Sequence, residues 1–308
     1  MTDPLLAPTP DEVNTLRMSD GAVIELRRYA RLHGPRIVVS HGNGLATDGY
    51  SPFWMPLMDH AEVVLFDMRN HGHNALHRLE DHRWPRFAMD IAEIMAGVRA
   101  CYGERATLAA LHSLSAIASV LRGLQGELWI EALVLFDPPF EPPENHRIAS
   151  VARSEIADLV RRTKRRPVAY TDPSELAGQF MRHPAFARLV PGAAENLART
   201  TLRHDAHTGQ WVLRCPREFE ALVFSSNADA ACWSSLGGAF PVPLKLIGGD
   251  PDLEDSGAPP RICRALAEDT RIDYTMIPNT THFLQLEQPQ RCADEVMRFA
   301  AASGLLTG

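Results

Sequence analysis

The sequence has 308 residues, of which 45% are hydrophobic and 22% are charged, as is ordinary for a globular protein. This length suffices for one large α/β domain with an insertion or for two domains. The net charge of −7 disfavours nucleic acid as the main partner. The five cysteines are scattered and form no Cys-x-x-Cys pair, which favours reduced thiols over a disulfide framework or a zinc ribbon.

The amino-terminal residues MTDPLLAPTPDE lack the basic region and apolar run of a signal peptide. No apolar run approaches the roughly 20 residues that span a bilayer. We therefore predict a cytoplasmic protein without a membrane segment.

Along the chain, residues 14–21 and 22–30 alternate in polarity around Ser19-Asp20-Gly21, which predicts an antiparallel hairpin at a sheet edge. Short apolar runs typical of strands buried on both faces follow. These runs are RIVVS (36–40), EVVLFD (62–67), ATLAALH (106–112), EALVLFD (131–137), PLKLIGG (243–249) and RIDYTMI (271–277). Helical patterns lie between them, at 85–102, 115–126, 259–268 and 288–303. The alternation predicts a doubly wound, mostly parallel α/β sheet.

The pattern breaks after Pro138-Pro139 and resumes at PVPLKLIGG. Residues 139–240 read as mostly helical and contain no strong strand run. We predict a core domain formed by residues 1–138 and 241–308, with residues 139–240 inserted between the sixth and seventh strands of the sheet as a helical cap. The aromatic side chains of the insertion are expected mostly in its core, with a few lining a pocket: Phe180, Phe186, Trp211, Phe219, Phe224 and Trp233.

Ser113 in LHSLSA lies where a predicted strand ends and a helix begins. At such a turn a serine hydroxyl projects from the sheet, and the helix start offers N–H groups to an oxyanion. Leu111 stands where glycine is usual, and an ordinary helix cap is the alternative. The glycine-rich HGNG (41–44) follows another strand, so the N–H groups of Asn43 and Leu114 are candidates for an oxyanion hole.

GGDPDL (248–253) supplies Asp250 and Asp252, and TTHFLQLEQP (280–289) supplies His282. Either aspartate could simply cap a turn, and a lone histidine is more often structural. However, all these segments follow predicted strands, at the edge where α/β sheets build their sites. The order Ser113, Asp252, His282 is that of a serine hydrolase triad.

These segments together resemble the α/β-hydrolase family, over nearly the whole chain outside the insertion. HGNG is similar to its His-Gly loop, FDMRNHGHN (66–74) to its Asp-x-Arg-Gly-His-Gly segment with Asn70 in place of glycine, and LHSLSA to its Gly-His-Ser-x-Gly elbow. IGGDPD (247–252) resembles the acid loop, and THFLQLEQP (281–289) resembles the stretch around the catalytic histidine.

The resemblance implies a carboxylesterase- or lipase-like enzyme that needs no cofactor or metal and acts on a small to medium ester and water. Ser113 would be the nucleophile, His282 the base and Asp252 the acid. Asp250 and Asp137 stay open as acids, since some relatives place the acid after the strand that Asp137 ends. Amide, thioester or carbon–carbon bond cleavage, acyl transfer and a non-catalytic ligand-binding relative are the alternatives.

Two other signals are set aside. His71, His73 and His77 could bind zinc but lack the aspartate of a hydrolytic metal cluster. The run RRTKRR (161–166) could attract an anion, but we expect a solvated helix face.

Overall fold

The computed structural model describes residues 5–306, and their arrangement is α/β. In this part of the chain the strands are β1 (Glu12–Arg17), β2 (Val23–Tyr29), β3 (Arg36–Ser40), β4 (Glu62–Phe66), β5 (Thr107–His112), β6 (Ala132–Phe136), β7 (Ala169–Tyr170), β8 (Leu202–Asp205), β9 (Gln210–Leu213), β10 (Leu244–Gly248) and β11 (Asp273–Met276). The α-helices are α1 (Ser51–Trp54), α2 (Trp84–Tyr102), α3 (Leu114–Gln125), α4 (Ala149–Arg165), α5 (Pro173–Arg182), α6 (Ala193–Thr201), α7 (Arg217–Ser225), α8 (Ala258–Thr270), α9 (Leu284–Glu287) and α10 (Pro289–Ala302).

Eight strands form the main sheet in the order β1-β2-β4-β3-β5-β6-β10-β11. The predicted hairpin of β1 and β2 lies at one edge, and β2 pairs antiparallel with β4. From β4 to β11 all neighbours are parallel. The doubly wound, mostly parallel sheet predicted from the sequence is therefore confirmed.

The central strands carry continuous apolar runs because helices cover both faces of the sheet. Alternate residues of β3 point to opposite faces: Val38 packs with α2, α3 and α8, while Ile37 and Val39 pack with α1 and α10. Both faces of these strands are therefore buried, and their sequences show apolar runs instead of the alternating polarity of a sheet with one face in solvent. This pattern makes the strands recognisable in the sequence.

The segment between β6 and β10 contains four helices, α4 to α7, and also a small antiparallel sheet in the order β7-β9-β8. The segment is mostly helical, as the sequence indicates, but its three short strands were not predicted. β8 and β9 form a hairpin whose turn is closed by a 2.8 Å hydrogen bond from the N–H of Gly209 to the carbonyl of Asp205. Gly209 has a φ of 69°, which suits glycine, but the polar strands around it carry no long apolar run.

Among residues 5–306, no helix is both long enough and apolar enough to cross a membrane.

Candidate active site

Ser113 is the single residue between β5, which ends at His112, and α3, which begins at Leu114. Its φ and ψ are 51° and −106°, a conformation that side-chain-bearing residues rarely adopt and that costs on the order of 1–3 kcal/mol. This sharp turn lifts the side chain out of the sheet at the carboxyl end of β5. Ser113 thus lies at a sharp strand-to-helix turn in a strained conformation, and its side chain makes no cap hydrogen bond to α3.

The two unusual residues of the elbow have structural explanations. Leu111 is fully buried in the core on the side of α3, where it packs as an ordinary strand residue. The hydroxyl of Ser115 donates to the carbonyl of His112 at 3.0 Å and accepts the N–H of His112 at 3.1 Å. Ser115 thus closes the turn with its side chain, so glycine is not required at either position.

The His41–Gly44 loop lies against this elbow. A Cβ atom on Gly42 would lie 3.2 Å from Cβ of Ser113 and 2.9 Å from Nδ1 of His112, so only glycine permits this approach. The N–H of Gly42 donates to the hydroxyl of Tyr50 at 3.3 Å, and that of Gly44 donates to Nε2 of His71 at 3.0 Å.

Between these two anchored residues, the N–H of Asn43 donates to no group of residues 5–306, and the same holds for the N–H of Leu114. The side-chain amide of Asn43 is held separately by the carbonyl of Glu220 in α7, at 2.9 Å. Two unused N–H groups flank Ser113 and are available to a developing oxyanion.

His282 lies in the loop between β11 and α9, and Glu287 of α9 holds this loop through hydrogen bonds to Thr281. The carboxylate of Glu287 accepts the N–H of Thr281 at 2.6 Å and its hydroxyl at 2.7 Å. Nδ1 of His282 lies 3.6 Å from Oδ2 of Asp137, which follows β6 and is fully buried. This distance is longer than a hydrogen bond, but catalytic contacts are often long before substrate binds.

Asp137 is aimed at His282 by its own backbone. Its φ is 39°, and its Oδ1 accepts the N–H of Gly249 at 3.2 Å, which leaves Oδ2 toward the imidazole. Burial raises the pKa of the Asp137 carboxyl, and the nearby His282 ring and the Gly249 N–H oppose that rise. A buried carboxylate facing a histidine can fix its tautomer and stabilise its charged form.

Asp252 does not occupy the position expected from the sequence. Its side chain is 72% exposed, and both carboxylate oxygens contact Nη1 of Arg264, at 3.0 and 3.1 Å. Asp250 uses one oxygen to accept the N–H of Asp252 and the other to accept the N–H of Asn279, each at 3.1 Å. The preference for Asp252 is therefore corrected: Asp250 caps a turn, Asp252 faces solvent, and Asp137 is the carboxylate beside His282.

A hydrogen-bond chain that sequence reasoning missed joins three of these segments. Nε2 of His112 donates to the carbonyl of His282 at 3.0 Å, and the Tyr50 hydroxyl donates to Nδ1 of His112 at 2.8 Å. The same hydroxyl accepts the N–H of Gly42. Burial lowers the pKa of His112, and the nearby His282 contributes, which favours the neutral ring that this chain requires. Tyr50 lies in a 3-10 turn (Thr47–Tyr50) that carries no motif.

Asn70 occupies the position where the family segment has glycine, and its φ is 63°. Asparagine tolerates this left-handed conformation better than most residues. Its carbonyl oxygen accepts the N–H of His77 at 2.5 Å, and its amide contacts Nδ1 of His82 at 3.1 Å. The substitution is thus accommodated locally.

Ser113, His282 and the Gly42–Leu45 loop line one cavity of about 740 Å³, which the inserted segment covers. Its walls are mostly apolar and include three of the predicted aromatic residues, Phe180, Phe186 and Phe224. The basic residues of the RRTKRR run are exposed, as expected of a solvated face, except for the half-buried Arg166, and Arg162, Arg165 and Arg166 also line the cavity. A mostly apolar cavity with a few polar groups at its base is the usual form of a small-molecule site.

One group of residues has the spacing of a metal site but carries competing cations. Side-chain atoms of Asp20, His77 and Asp81 lie within 4.8 Å of one another. Arg69 lies 2.9 Å from the carboxylate of Asp20, and Arg78 lies 2.8 Å from that of Asp81. These guanidinium groups already neutralise the carboxylates that a metal ion would need.

Comparison with known proteins identifies the family. A model described as "Alpha/beta hydrolase family" matches residues 37–295. The chain belongs to the α/β-hydrolase family. The mostly parallel sheet with its flanking helices is thus an α/β-hydrolase fold. No curated protein matches the sequence at a significant level.

Several solved α/β-hydrolase structures share the fold at low sequence identity. E-2-(acetamidomethylene)succinate hydrolase superimposes with a TM-score of 0.75 at 14% identity, covering 94% of this chain and 100% of that one. The thioesterase domain from the curacin biosynthetic pathway has a TM-score of 0.71 at 16% identity, covering 93% and 99%. A thermophilic esterase from Thermogutta terrifontis, with malate bound, has a TM-score of 0.65 at 17% identity, covering 95% and 99%.

Proposed function

We propose that this α/β-hydrolase is a serine carboxylesterase that cleaves a small to medium ester through an acyl-enzyme intermediate. Ser113 is the nucleophile, His282 the general base and Asp137 the residue that orients His282. The observation that carries the proposal is the backbone of Ser113, strained at an elbow between β5 and α3 and flanked by two unused N–H groups. Strain of this kind persists where the surrounding structure enforces it, commonly at active sites.

In the proposed reaction, Oγ of Ser113 attacks the ester carbonyl while Nε2 of His282 takes the hydroxyl proton. The N–H groups of Asn43 and Leu114 stabilise the oxyanion, each worth roughly 3–4 kcal/mol if well placed. The intermediate collapses to an acyl-serine, and the proton on His282 passes to the departing alkoxide. Water, deprotonated by His282, then attacks the acyl-serine and releases the acid and free Ser113. Asp137 stays ionised and balances the charge on His282.

The segment 139–240 acts in this proposal as a lid, because it covers a cavity that holds both Ser113 and His282. A lid that must close over the substrate favours small or medium molecules over polymers. The structural neighbours include an esterase, a thioesterase and a hydrolase of an acetamidomethylene compound, so the fold serves several acyl bonds. A cytoplasmic location fits the five free cysteines.

A fluorophosphonate probe and a series of p-nitrophenyl esters from acetate to octanoate test the proposal. We expect covalent labelling at Ser113, hydrolysis of the shorter esters, and loss of about 10⁴-fold or more of kcat in Ser113→Ala. Ser119→Ala is the matched control, since Ser119 is a buried serine of the same turn–helix unit that bonds only the carbonyl of Ala116. Near-normal turnover by folded Ser113→Ala would reject the assignment.

A further inference from the structure

Three arginines of the segment 139–240 line the cavity: Arg162 and Arg165 of α4, and Arg166, which directly follows α4. Among the described residues, only Arg166 has a carboxylate partner. Arg166 pairs with Glu220 through both guanidinium nitrogens, at 2.6 and 2.9 Å. Among the described residues, Arg162 and Arg165 form no ion pair. Arg162 instead contacts Nε2 of His183 at 2.5 Å.

Every other carboxylate of the cavity lining is engaged elsewhere. Asp255 pairs with Arg188, and Glu155 accepts the N–H of Ala258 at the start of α8 at 2.5 Å. Burial lowers the pKa of His183, and the charge of Arg162 lowers it further, so His183 is a neutral acceptor rather than a competing cation. Arg162 and Arg165, which are exposed to solvent where they line the cavity, thus have no carboxylate partner among the described residues.

The other cations of the same run behave differently. Arg161 pairs with Asp158 one turn earlier, and neither Arg161 nor Lys164 lines the cavity. Residues 162, 165 and 166 share one face of the helix end through their spacing of three and four. The arginines without a carboxylate partner are therefore the ones that face the cavity, and solvation of the helix end alone does not explain this coincidence.

We infer that this cavity selects acyl substrates that carry a carboxylate in addition to the scissile ester, such as half-esters of dicarboxylic acids. Arg162 and Arg165 bind that carboxylate, because a planar guanidinium can donate two parallel hydrogen bonds to it. This inference rests on the proposed function and adds the substrate class to it.

The test compares two substrates of equal shape and different charge. Monomethyl esters of adipate, pimelate and suberate are paired with the corresponding methyl ester amides, in which a carboxamide replaces the free carboxylate. Hydrolysis is followed by proton release at constant pH, so no chromophore alters the substrate. We expect the wild-type enzyme to favour the acid over the amide by about tenfold or more in kcat/KM, mainly through KM.

In the double variant Arg162→Gln/Arg165→Gln, we expect the acid-to-amide preference to fall close to one. Arg161→Gln/Lys164→Gln removes the same number of charges from the same helix away from the cavity, and it should keep the wild-type preference. Rising salt should reduce the wild-type preference, because ionic strength screens the attraction. Equal losses of preference in both double variants would overturn the assignment, since a general charge effect of the helix would then explain them.

Binding without turnover gives a second measurement. In Ser113→Ala, free pimelate should raise the melting temperature, and the rise should disappear when Arg162→Gln/Arg165→Gln is added. If fluorophosphonate labels Ser113 but acid and amide are hydrolysed alike, the carboxylate preference is rejected and the hydrolase assignment stands. If Ser113 is not labelled and neither substrate is cleaved, the proposed function fails and the inference falls with it.

Discussion

Asp137 Oδ2 lies 3.6 Å from Nδ1 of His282, although 145 residues separate the two in the chain. Their approach depends on β6, which places Asp137 at its carboxyl end, and on the loop after β11, which brings His282 back over the sheet. The loop after β10 connects the two, because the N–H of Gly249 donates to Oδ1 of Asp137 and a Cβ on Gly249 would lie 2.4 Å from the carbonyl oxygen of Thr281. The His–Asp relationship is thus built into the packing of the loops.

Replacing Asp137 tests that relationship. Asp137→Asn preserves the shape but removes the charge that stabilises protonated His282, so we expect kcat to fall about 10²- to 10⁴-fold. Asp252→Asn is the matched control and should stay within about twofold of the wild-type enzyme, because its carboxylate is exposed and pairs only with Arg264. Steady-state hydrolysis of a p-nitrophenyl ester distinguishes them. A large loss in Asp252→Asn with full activity in Asp137→Asn would reverse the assignment.

Tyr50 is expected to be a positioning residue. Tyr50→Phe removes the donor to Nδ1 of His112 and the acceptor of the Gly42 N–H, so both catalytic loops lose an anchor. We expect kcat to fall about tenfold with little change in KM, and stability to fall by about 1–2 kcal/mol. Denaturant unfolding and steady-state kinetics separate the two effects. Tyr102→Phe is the control and should leave kcat unchanged, because Tyr102 is a half-buried tyrosine whose hydroxyl donates to the carbonyl of Leu26. If kcat fell equally in Tyr102→Phe and Tyr50→Phe, Tyr50 would have no specific positioning role.

Gly42 should not tolerate a side chain. Gly42→Ala introduces a methyl group 2.9 Å from Nδ1 of His112 and 3.2 Å from Cβ of Ser113, so the oxyanion loop must shift away from the nucleophile. We expect a loss of about 10²-fold or more in kcat/KM, because a displacement of about 1 Å is costly in catalysis. Gly237→Ala is the control, since its added methyl group meets no atom within 4 Å. Wild-type kinetics in Gly42→Ala would show that the loop does not form the oxyanion site.

Acid should destabilise this protein through its buried histidines. Burial, with a contribution from the charge of Arg69, lowers the pKa of His82 to about 3. Between about pH 6.5 and that value, the unfolded chain binds a proton that folded His82 does not, so the free energy of unfolding falls as pH falls. For one such histidine the loss between pH 6.5 and pH 5 is about 2 kcal/mol. Full stability from this source is present above pH 6.5.

The variant His82→Gln isolates this contribution. Denaturant unfolding at several pH values should give a slope of stability against pH that is shallower by about one proton than in the wild-type protein. Buried Asp90 and Asp137 act with the opposite sign, because burial raises their pKa, but they are present in both proteins. Identical slopes in the two proteins would show that His82 is not buried in its neutral form.

The class of fold could be read from the sequence because its strands are encoded locally. A strand buried on both faces needs a continuous apolar run, and the runs IVV of β3, VVLF of β4 and ALVLF of β6 stand out for that reason. Ser113 stood out as a candidate because it follows the buried strand β5, and His282 because it follows the last strand run, β11, in a segment that resembles the family. The hairpin of β8 and β9 was missed because its residues are polar or half-buried, and only the turn at Gly209 signalled it.

The choice of acid and the identity of the cavity cations depended on contacts that no local pattern encodes. Both Asp137 and Asp252 follow strands, and the backbone at Asp137, with its φ of 39° and the hydrogen bond from Gly249, turns one of them toward His282. Helical periodicity groups Arg162 with Arg165, but the packing of α4 against α7 and α8 decides that this face meets the cavity. The sequence by itself determined the strands of the main sheet, their order along the chain and the position of Ser113 after β5, because burial constrains each residue locally. The tertiary structure decided which carboxylate faces His282 and which arginines stay unpaired, because those contacts join residues far apart in the chain.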